Sequence, residues 1–580
     1  MVTQSLRTDR LLPAVFSILV AVLMFATVFH PYLWGPDEPR EAEISREMYV
    51  TGNYVTPHFC GQPFVEKPPL YFIAAAGVFH LTGGPSPQAA RCVSAFFGCL
   101  MLAAVGFLGF RSRGLRGAFL SVLLLLGMPQ FYRAAHWILL DIALGAFITA
   151  AAGCFAVRLF WSRSANLNTV LRLIFWLCCA GAFLTKGVFG VIYIGFIVGS
   201  YVLIRRRWDL IREFLFDWTV LLFLIPVGTW VFLFWMDGGA YYLHEHFINN
   251  TIGRFLHKQF KLPGSPDYFT DVGNPSPWHF YLGRLPNMFA LALVPGLAAG
   301  AGELIRRFRP QGNSRWERFL APYPQEDRSA EWRFYLWIWF LVPLILLSIP
   351  AAKEVTYILP GYAALALLSM EWIDPLLPPD NGADLAPSLW IAGLMALPVV
   401  ASYWIPAGYS IAGTVVLLVI AFLLLILHAW KRRFSAAVYL ILTAVVCGVV
   451  LGNTPEVMRK TRLNRKNLYD TSPQVWSQVG NRKLVLYSGD ETFRGSIPFY
   501  GSRTTPAIKN EEKLMKTLVS EPETCLLLYQ NRFQRMSGKS AWKKVFKRYR
   551  VIPVSRKKLY EDFILLIPAE TSSAGHTPEL

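Results

Sequence analysis

Long apolar stretches recur along most of this chain and constrain its fold more than any other feature. The first is "LPAVFSILVAVLMFATVFH" at residues 12–30. Further runs lie near residues 89–110, 117–131, 138–161, 169–185, 187–205, 217–236, 285–304, 333–350, 355–371, 388–404, 409–430 and 435–452. A helix that spans a bilayer needs about 20 mostly apolar residues, so these runs predict a polytopic α-helical membrane protein with about 13 spans. A mean hydropathy of +0.38 and a hydrophobic content of 54% agree with that class.

The basic residues between these runs predict how the chain is oriented. Cytoplasmic loops carry an excess of Lys and Arg. With the N-terminus inside, the inside loops contain "RSRGLR" (111–116), "RRRWDLIR" (205–212), "RRFRPQGNSRWER" (306–318) and "KRR" (431–433), which fits the rule. The acidic inside loop near 373–387 departs from it. An odd number of spans then places the residues after 452 on the outer face.

The last part of the chain, residues 453–580, has the pattern of a separate soluble domain that follows a membrane domain of residues 1–452. Short apolar runs such as "KLVLYSG" (483–489), "TCLLLYQ" (524–530) and "DFILLIP" (562–568) alternate with polar helical stretches, which predicts a small α/β fold. Residues 453–580 contain 23 Lys and Arg and 12 Asp and Glu. This balance suits anionic headgroups or phosphorylated glycolipids, and it equally suits a solvated basic surface.

The first outer loop, residues 31–70, concentrates charge in a chain that is only 16% charged. Its first half is "GPDEPREAEISREMYV" (35–50), in which Asp37 and Glu38 open a helical pattern. Carboxylates at that position suit the positive end of the helix dipole. We therefore predict a helix that lies on the membrane surface. Snorkelling explains a single Lys or Arg at such a boundary, but it explains these carboxylates less well.

Other ionisable residues are predicted to reach the same outer boundary. The loop returns through "EKPPLYF" with Glu66 and Lys67, and Asp141 interrupts the apolar run "ILLDIALGAF". An acid in a span needs a partner or a function. Outer segments add Lys186 in "FLTKGVFG", Arg254 in "NNTIGRFL", and Lys353 and Tyr357 in "AAKEVTYILP". Basic groups suit a phosphate or pyrophosphate, and carboxylates suit a base or a divalent cation, so the pattern predicts a site for a phosphorylated substrate.

The order and residues of these motifs resemble one known family. "GPDEPREAEISREM", "TGNYVTP" (51–57), "EKPPLYF", the "LLD" that ends at Asp141, "FLTKG" and "TYILP" look like the lipid A 4-amino-4-deoxy-L-arabinose transferases, which are related to the protein O-mannosyltransferases. The resemblance is most specific in residues 35–71, and over the C-terminal domain it is only architectural. It implies a GT-C glycosyltransferase fold and a polyprenyl-phosphate-linked sugar donor. It also implies inverting transfer to lipid A or a related glycolipid at the periplasmic face of the bacterial inner membrane.

The motifs and the resemblance together assign the charged residues to roles. Asp37 matches an aspartate near the reacting centre and, with Lys67 and Arg254, is predicted to be catalytic. The predicted ligands of the donor phosphate are Arg40, Lys67, Lys186, Arg254, Lys353 and Tyr357. Glu66 and Asp141 match acidic positions suited to a divalent metal ion, which we expect as the cofactor.

The chemistry of such a transfer agrees with these residue types. Breaking the C1–O bond of a glycosyl phosphate leaves extra negative charge on the phosphate, which preorganised cations stabilise. A nearby carboxylate stabilises the oxocarbenium-like sugar. If the acceptor is a hydroxyl, Asp37 takes its proton as general base. If the acceptor is a lipid A phosphate, it is largely ionised already, and Asp37 positions and stabilises.

Other interpretations stay open at this point. Protein O-mannosyltransferases share the acidic pair after the first helix. A transporter or flippase of phosphorylated lipids also places charges in a membrane, although transporters often have inverted repeats and midplane sites, and we detect no repeat here. A sensor or scaffold with an outer ligand-binding domain is a further alternative. The second Asp-Glu pair, in "GDETFRG" (489–495), is interpreted as a solvated turn.

Overall fold

The structure is a computed structural model that describes residues 2–26, 28–260, 275–289, 328–376, 467–554 and 562–569, together with residues 262, 292, 293 and 296. The predicted spans at 388–404, 409–430 and 435–452, and most of the run at 285–304, lie outside the described residues. Up to residue 376 the described chain is almost entirely helical, and a sheet follows from residue 484.

The helices up to residue 376 are numbered in chain order. They are α1 (Val2–Ala26), α2 (Asp37–Thr51), α3 (Leu70–Thr82), α4 (Pro87–Leu126), α5 (Pro129–His136), α6 (Leu140–Phe160), α7 (Ala165–Lys186), α8 (Val188–Arg205), α9 (Trp208–Leu215), α10 (Leu221–Leu243), α11 (Arg254–Leu256), α12 (Leu285–Phe289), α13 (Arg328–Ser348) and α14 (Leu359–Ile373). A π-helix, His244–Gly253, joins α10 to α11. Two short antiparallel strands, β1 (His58–Phe59) and β2 (Gln62–Pro63), lie between α2 and α3.

Six helical segments among the described residues are long and apolar enough to cross a membrane, so the chain is a multi-pass membrane protein. They are Pro87–Leu126, Leu140–Phe160, Ala165–Lys186, Val188–Arg205, Trp218–Leu256 and Arg328–Ser348. The total of about 13 spans stays a prediction, because four of the predicted runs fall wholly or mostly outside the described part.

Helix α4 is a hairpin of two helices rather than one straight rod. Gly114 has a φ of +67° and a ψ of −159°, which is not helical. The Ser121 hydroxyl donates to the carbonyl oxygen of Val105 at 3.4 Å, although 16 residues of straight helix would separate them by about 24 Å. The break that the sequence predicted between the runs at 89–110 and 117–131 is therefore present.

Ion pairs link the basic and acidic segments at one end of the helix bundle. Arg113 pairs with Glu371 at 2.8 Å, and Arg116 pairs with Asp374 at 2.6 Å. Glu371 near the end of α14 and Asp374 just after it thus neutralise Arg113 and Arg116 of the hairpin. Asp374, at the start of the acidic segment, therefore has a basic partner from another loop.

The C-terminal segment, residues 467–569, forms a five-stranded sheet with helices. Its elements are α15 (Thr471–Val479), β3 (Leu484–Tyr487), α16 (Glu491–Gly501), β4 (Ala507–Ile508), α17 (Glu511–Ser520), β5 (Cys525–Tyr529), α18 (Gln530–Ser537), α19 (Ser540–Phe546), β6 (Tyr549–Val554) and β7 (Phe563–Pro568). The strand order is β4-β3-β5-β7-β6. Strand β3 is parallel to β4 and β5, and β7 is antiparallel to β5 and β6.

Alternation along the strands gives this sheet two apolar faces. Leu527 and its neighbours on one face pack with Phe493 of α16, in a core that continues into the membrane helices. Leu526 and Leu528 on the other face pack with Trp542 of α19. Since strand side chains alternate between faces, α16 lies between the sheet and the helix bundle, and α19 lies on the opposite side. The basic residues of α18 and α19 are therefore on the face turned away from α2.

Candidate active site

Helix α2 of the first loop is present, but its surroundings differ from the prediction. It begins at Asp37 and ends before Gly52, whose φ of +69° suits glycine. It packs against α3 and, most extensively, against α16 of the C-terminal segment. The buried charged residues of α2 are Glu38, Glu41, Glu43, Arg46 and Glu47. The predicted helix is therefore present, and the C-terminal segment covers it; its place at the membrane surface stays a prediction.

Buried charges on α2 persist because each has strong partners. The carboxylate of Glu38 accepts hydrogen bonds from Arg91 at 2.8 Å and from the backbone N–H groups of Trp34 at 2.6 Å and Ile138 at 3.0 Å. Glu38 and Arg91 are fully buried. A buried ion pair is stable only when its hydrogen bonds are satisfied. This pair fixes the start of α2 against α4 and the chain before α6.

Arg40 organises the residues around Asp37. Its Nη2 donates to Asp37 Oδ1 at 2.8 Å and to Glu41 Oε1 at 2.6 Å, and its Nη1 donates to Glu491 Oε2 at 2.5 Å. Lys67 Nζ donates to the same oxygen of Glu41. The side chains of Arg40 and Lys67 are only 12% and 14% exposed, whereas that of Asp37 is 44% exposed. Asp37 is thus held on one side and open on the other.

Two further ion pairs come from distant segments. Lys186, at the end of α7, donates to Asp141 in the first turn of α6, and its Nζ lies 4.2 Å from the centre of the Tyr357 ring. Arg254 donates to Glu66 at 2.6 Å. Gly187 follows Lys186 with a φ of +67°, and a Cβ there would lie 2.9 Å from the His246 ring. Glycine therefore allows the close approach that places Lys186.

The electrostatic field at Asp37 is dominated by cations from separate segments. Protein atoms crowd the carboxylate and oppose its ionisation, but Arg40, Lys67, Lys186 and Arg133 together lower its pKa. Asp37 is therefore ionised at neutral pH. The same carboxylate remains 44% exposed, so a ligand can reach it within the field of these cations.

Glu354 lies near enough to Asp37 and Asp141 to be affected by their charges, and it is an exposed carboxylate for which the described residues provide no ion pair. Burial by surrounding atoms raises the pKa of Glu354, and the negative charges of Asp37 and Asp141 raise it further. Lys186 and Arg133 act in the opposite direction. Glu354 thus binds a proton more tightly than an ordinary glutamate does.

Lys353 is the predicted phosphate ligand that does not join this cluster. Its Nζ donates to the carbonyl oxygens of Ser276, at 2.9 Å, and Pro350. The residue is 4% exposed. The ammonium group therefore holds two loop segments together, and no ion pair links it to the acids near Asp37 in the described part of the chain.

Glu66 and Asp141, the predicted metal ligands, each bind a cation of the protein itself. Within the described ranges there is no group of three His, Cys, Asp or Glu residues that could hold a metal ion. A divalent ion on Glu66 would have to displace Arg254, and one on Asp141 would have to displace Lys186. With both ion pairs in place, neither carboxylate is open to a metal ion.

An apolar cavity of about 400 Å³ lies near Arg254. Ile252 and Phe255 line it and flank Arg254 in sequence, and Pro350 lines it just before Lys353. The remaining lining residues are Phe189, Ile192, Tyr193, Phe196, Thr251, Leu256, Pro343, Leu346, Leu347 and Ile349. A ligand with an anionic head and a long apolar tail would have both parts accommodated here.

Sequence reasoning missed several charged residues of this site. Arg133 stacks on Trp137, with 3.8 Å between the guanidinium carbon and the ring centre, and its field reaches Asp37. Glu354 was passed over although it adjoins Lys353. The sequence did offer one signal for Glu354, because it is adjacent to Lys353, a predicted phosphate ligand. Glu41 and Glu491 gave no signal, because their importance depends on a contact between segments far apart in sequence.

The fold defines the class of this protein. Over 95% of its length the chain superposes on 97% of ArnT from Cupriavidus metallidurans, solved with undecaprenyl phosphate bound, with a TM-score of 0.68 and 21% sequence identity. The apo form of that protein gives a TM-score of 0.67. The fold is the GT-C fold, as the sequence predicted, and Asp37 with its surrounding cations lies within it.

Sequence comparison points to particular relatives. Residues 32–242 match the family of dolichyl-phosphate-mannose-protein mannosyltransferases. The chain is 27% identical over 380 residues to the undecaprenyl phosphate-alpha-4-amino-4-deoxy-L-arabinose arabinosyl transferase of Aeromonas salmonicida, a match that covers 63% of this chain and 60% of that protein. It is 28% identical to arabinosyl transferase 2 of Proteus mirabilis over 61% of this chain and 59% of that one. The resemblance to arabinose transferases is confirmed, although the matches span less than two thirds of these relatives.

Proposed function

We propose that this protein is a glycosyltransferase that moves a sugar from a polyprenyl-phosphate donor to lipid A or a related glycolipid. The sugar is 4-amino-4-deoxy-L-arabinose or a similar one. One observation carries the proposal: an accessible, ionised Asp37 lies in the field of Lys67, Lys186 and Arg133, and residues on both sides of Arg254 in the sequence line an apolar cavity. The names of the arabinosyl transferase relatives and the undecaprenyl phosphate bound to the C. metallidurans protein support the same reading.

The donor's two chemical parts match two parts of the site. Lys67, Lys186, Arg254 and Tyr357 are the proposed ligands of the phosphate, and the apolar cavity beside Arg254 takes the first isoprene units. Preorganised cations in a site with little water stabilise the charge that develops on the leaving phosphate. Arg40 directs its donors to three carboxylates, so its proposed role is to hold Asp37.

Asp37 is the group proposed to act at the reacting centre. As the bond between the sugar C1 and the phosphate oxygen breaks, the electron pair of that bond stays on the phosphate oxygen. An oxygen of the acceptor forms the new bond to C1 from the opposite face of the sugar. A carboxylate near C1 stabilises the oxocarbenium-like sugar. With a hydroxyl acceptor, Asp37 takes the proton. With an ionised lipid A phosphate no proton is transferred, and Asp37 orients the acceptor.

The position of the protein in the cell is part of the same proposal. About 13 spans would place the site and residues 453–580, as a soluble α/β domain, on the periplasmic side of the bacterial inner membrane. A divalent ion at Glu66 and Asp141 remains a prediction, although both carboxylates are paired with protein cations.

A protein hydroxyl is the second candidate acceptor. The match of residues 32–242 to the mannosyltransferase family favours it, because that region contains α2 and Asp37. A hydroxyl acceptor would require the general-base role of Asp37, whereas an ionised phosphate would not.

Sugar transfer in proteoliposomes tests the proposal. The purified protein is reconstituted with undecaprenyl-phosphate sugars and lipid A, and the lipids are analysed by mass spectrometry. The variants are Asp37→Asn and Arg254→Ala, and the matched control is Lys516→Ala, which removes a cation that is 78% exposed in α17. We expect lipid A to gain one sugar with wild type and control and to gain none measurable with Asp37→Asn.

Each outcome separates the alternatives. Transfer to an added hydroxyl peptide but not to lipid A would favour the second candidate. Full activity in folded Asp37→Asn would overturn the proposed site. Movement of labelled donor lipid across the bilayer without any product would favour the flippase interpretation.

A further inference from the structure

Glu491 of the C-terminal segment contacts the loop that contains Asp37. We infer that Glu491 is a positioning residue: it orients Arg40, and through Arg40 it sets the direction of the Asp37 carboxylate. This inference rests on the proposed function, because it assigns an effect on turnover to a residue that does not itself reach the substrate. It makes the C-terminal segment a working part of the active site.

The position of Glu491 is fixed by the start of α16. Asp490 is the N-cap of this helix, and its carboxylate accepts a hydrogen bond from the N–H of Phe493 at 2.9 Å. Glu491 is the first residue of the helix and is bound to Arg40 at 2.5 Å. The "GDETFRG" motif is thus a helix start packed on α2, and its interpretation as a solvated turn was wrong.

The contact between α16 and the loop is close along its whole length. A Cβ at Gly495 would lie 2.3 Å from the backbone carbon of Pro39, so the two helices touch backbone to backbone there. The Tyr500 hydroxyl donates to the Pro31 carbonyl at 2.8 Å and accepts from the Leu33 N–H at 2.9 Å. Such an interface holds the two helices in one relative position, so Glu491 is a rigid anchor for Arg40.

The planar guanidinium transmits this constraint. Arg40 donates through Nε to Glu41, through Nη1 to Glu491, and through Nη2 to Asp37 and Glu41. The donors of a guanidinium keep a fixed geometry, so bonds to two carboxylates determine where the third is held. Without Glu491, Nη1 loses its partner and Arg40 can rotate toward Glu41. Asp37 then loses its fixed direction, while the cations proposed for the donor phosphate remain.

Kinetics of sugar transfer test this role. The variants are Glu491→Ala and Glu491→Gln, and the matched control is Glu521→Ala, which removes a carboxylate paired with Lys483 in the same segment. Misplacement of a catalytic group by about 1 Å can cost about 100-fold, so we expect kcat of Glu491→Ala to fall by about 10- to 100-fold. The donor KM should change little. Glu491→Gln keeps an acceptor for Nη1 and should recover part of the loss, and the control should match wild type.

A double-mutant cycle with Arg40→Ala distinguishes positioning from general destabilisation. If Glu491 acts through Arg40, Glu491→Ala costs almost nothing once Arg40 is absent. An equal loss in both backgrounds, or unchanged kcat in folded Glu491→Ala, would overturn the inference.

Hydrogen exchange gives a measurement that does not depend on sugar transfer. We expect amides in the first turn of α2 to exchange faster in Glu491→Ala than in wild type or Glu521→Ala. If wild type transfers no sugar, the proposed function fails. Unchanged exchange would then overturn the link between Glu491 and α2 as well, whereas faster exchange would preserve it.

Discussion

Removal of the Lys67 ammonium is the sharpest test of the phosphate-binding role. The ammonium of Lys67 donates to Glu41. Because the side chain is only 14% exposed, water screens its charge poorly. Two opposite charges about 4 Å apart attract each other by about 4 kcal/mol at an effective dielectric constant of about 20. Loss of one group that stabilises a developing oxyanion costs about 100- to 1,000-fold in kcat. Because Arg254 and Lys186 remain, we expect kcat/KM of Lys67→Ala to fall by about 100-fold.

The assay is initial-rate sugar transfer in proteoliposomes over a range of donor concentrations. Lys67→Arg keeps the positive charge and should recover part of the loss. Full recovery is not expected, because a planar guanidinium differs in shape from a compact ammonium. The Lys516→Ala control should match wild type. A well-folded Lys67→Ala protein with kcat/KM within about threefold of wild type would refute the reasoning, because a single partner of a developing phosphate charge is worth far more than that.

Three other predictions follow from the ion pairs. Arg91→Ala leaves Glu38 buried without its cation and should destabilise the protein by about 3–5 kcal/mol, seen as a lower Tm in detergent, while Arg91→Lys should lose less. Glu354→Gln should raise the Tm at pH 8 and have less effect as pH falls toward 4.5. The ordinary pKa of a glutamate is 4.5, and the folded protein raises the pKa of Glu354 above it. The ionised form of Glu354 therefore destabilises the fold at pH values above the raised pKa. An equal gain at all pH values would contradict this. EDTA should leave transfer intact if Glu66 and Asp141 stay paired with Arg254 and Lys186, and loss of transfer restored by a divalent ion would establish the metal that the sequence predicted.

Features with a local physical cause were predictable from the sequence. Apolar runs at 138–161 and 169–185 became α6 and α7, and the carboxylates at Asp37 and Glu38 correctly marked a helix start. Burial of α2 was not predictable, because its charged face looks solvated until the C-terminal partner is known. The same limit applies to Arg40. The sequence motifs assigned Arg40 to the donor phosphate, and they could not show the bond to Glu491, which joins positions 451 apart.

The pairing of residues 31–40 with residues 491–500 also orders the assembly of the site in time. Tyr500 and Leu33 are 467 positions apart, so the loop leaves the ribosome long before its partner exists. At synthesis rates of about 5–20 residues per second, that interval lasts about 20 to 90 s. During this time Arg40 lacks one of its three carboxylates, and α2 lacks its cover. The surroundings of Arg40 and Asp37 are therefore complete only after residues 491–500 have been made and have docked on the loop.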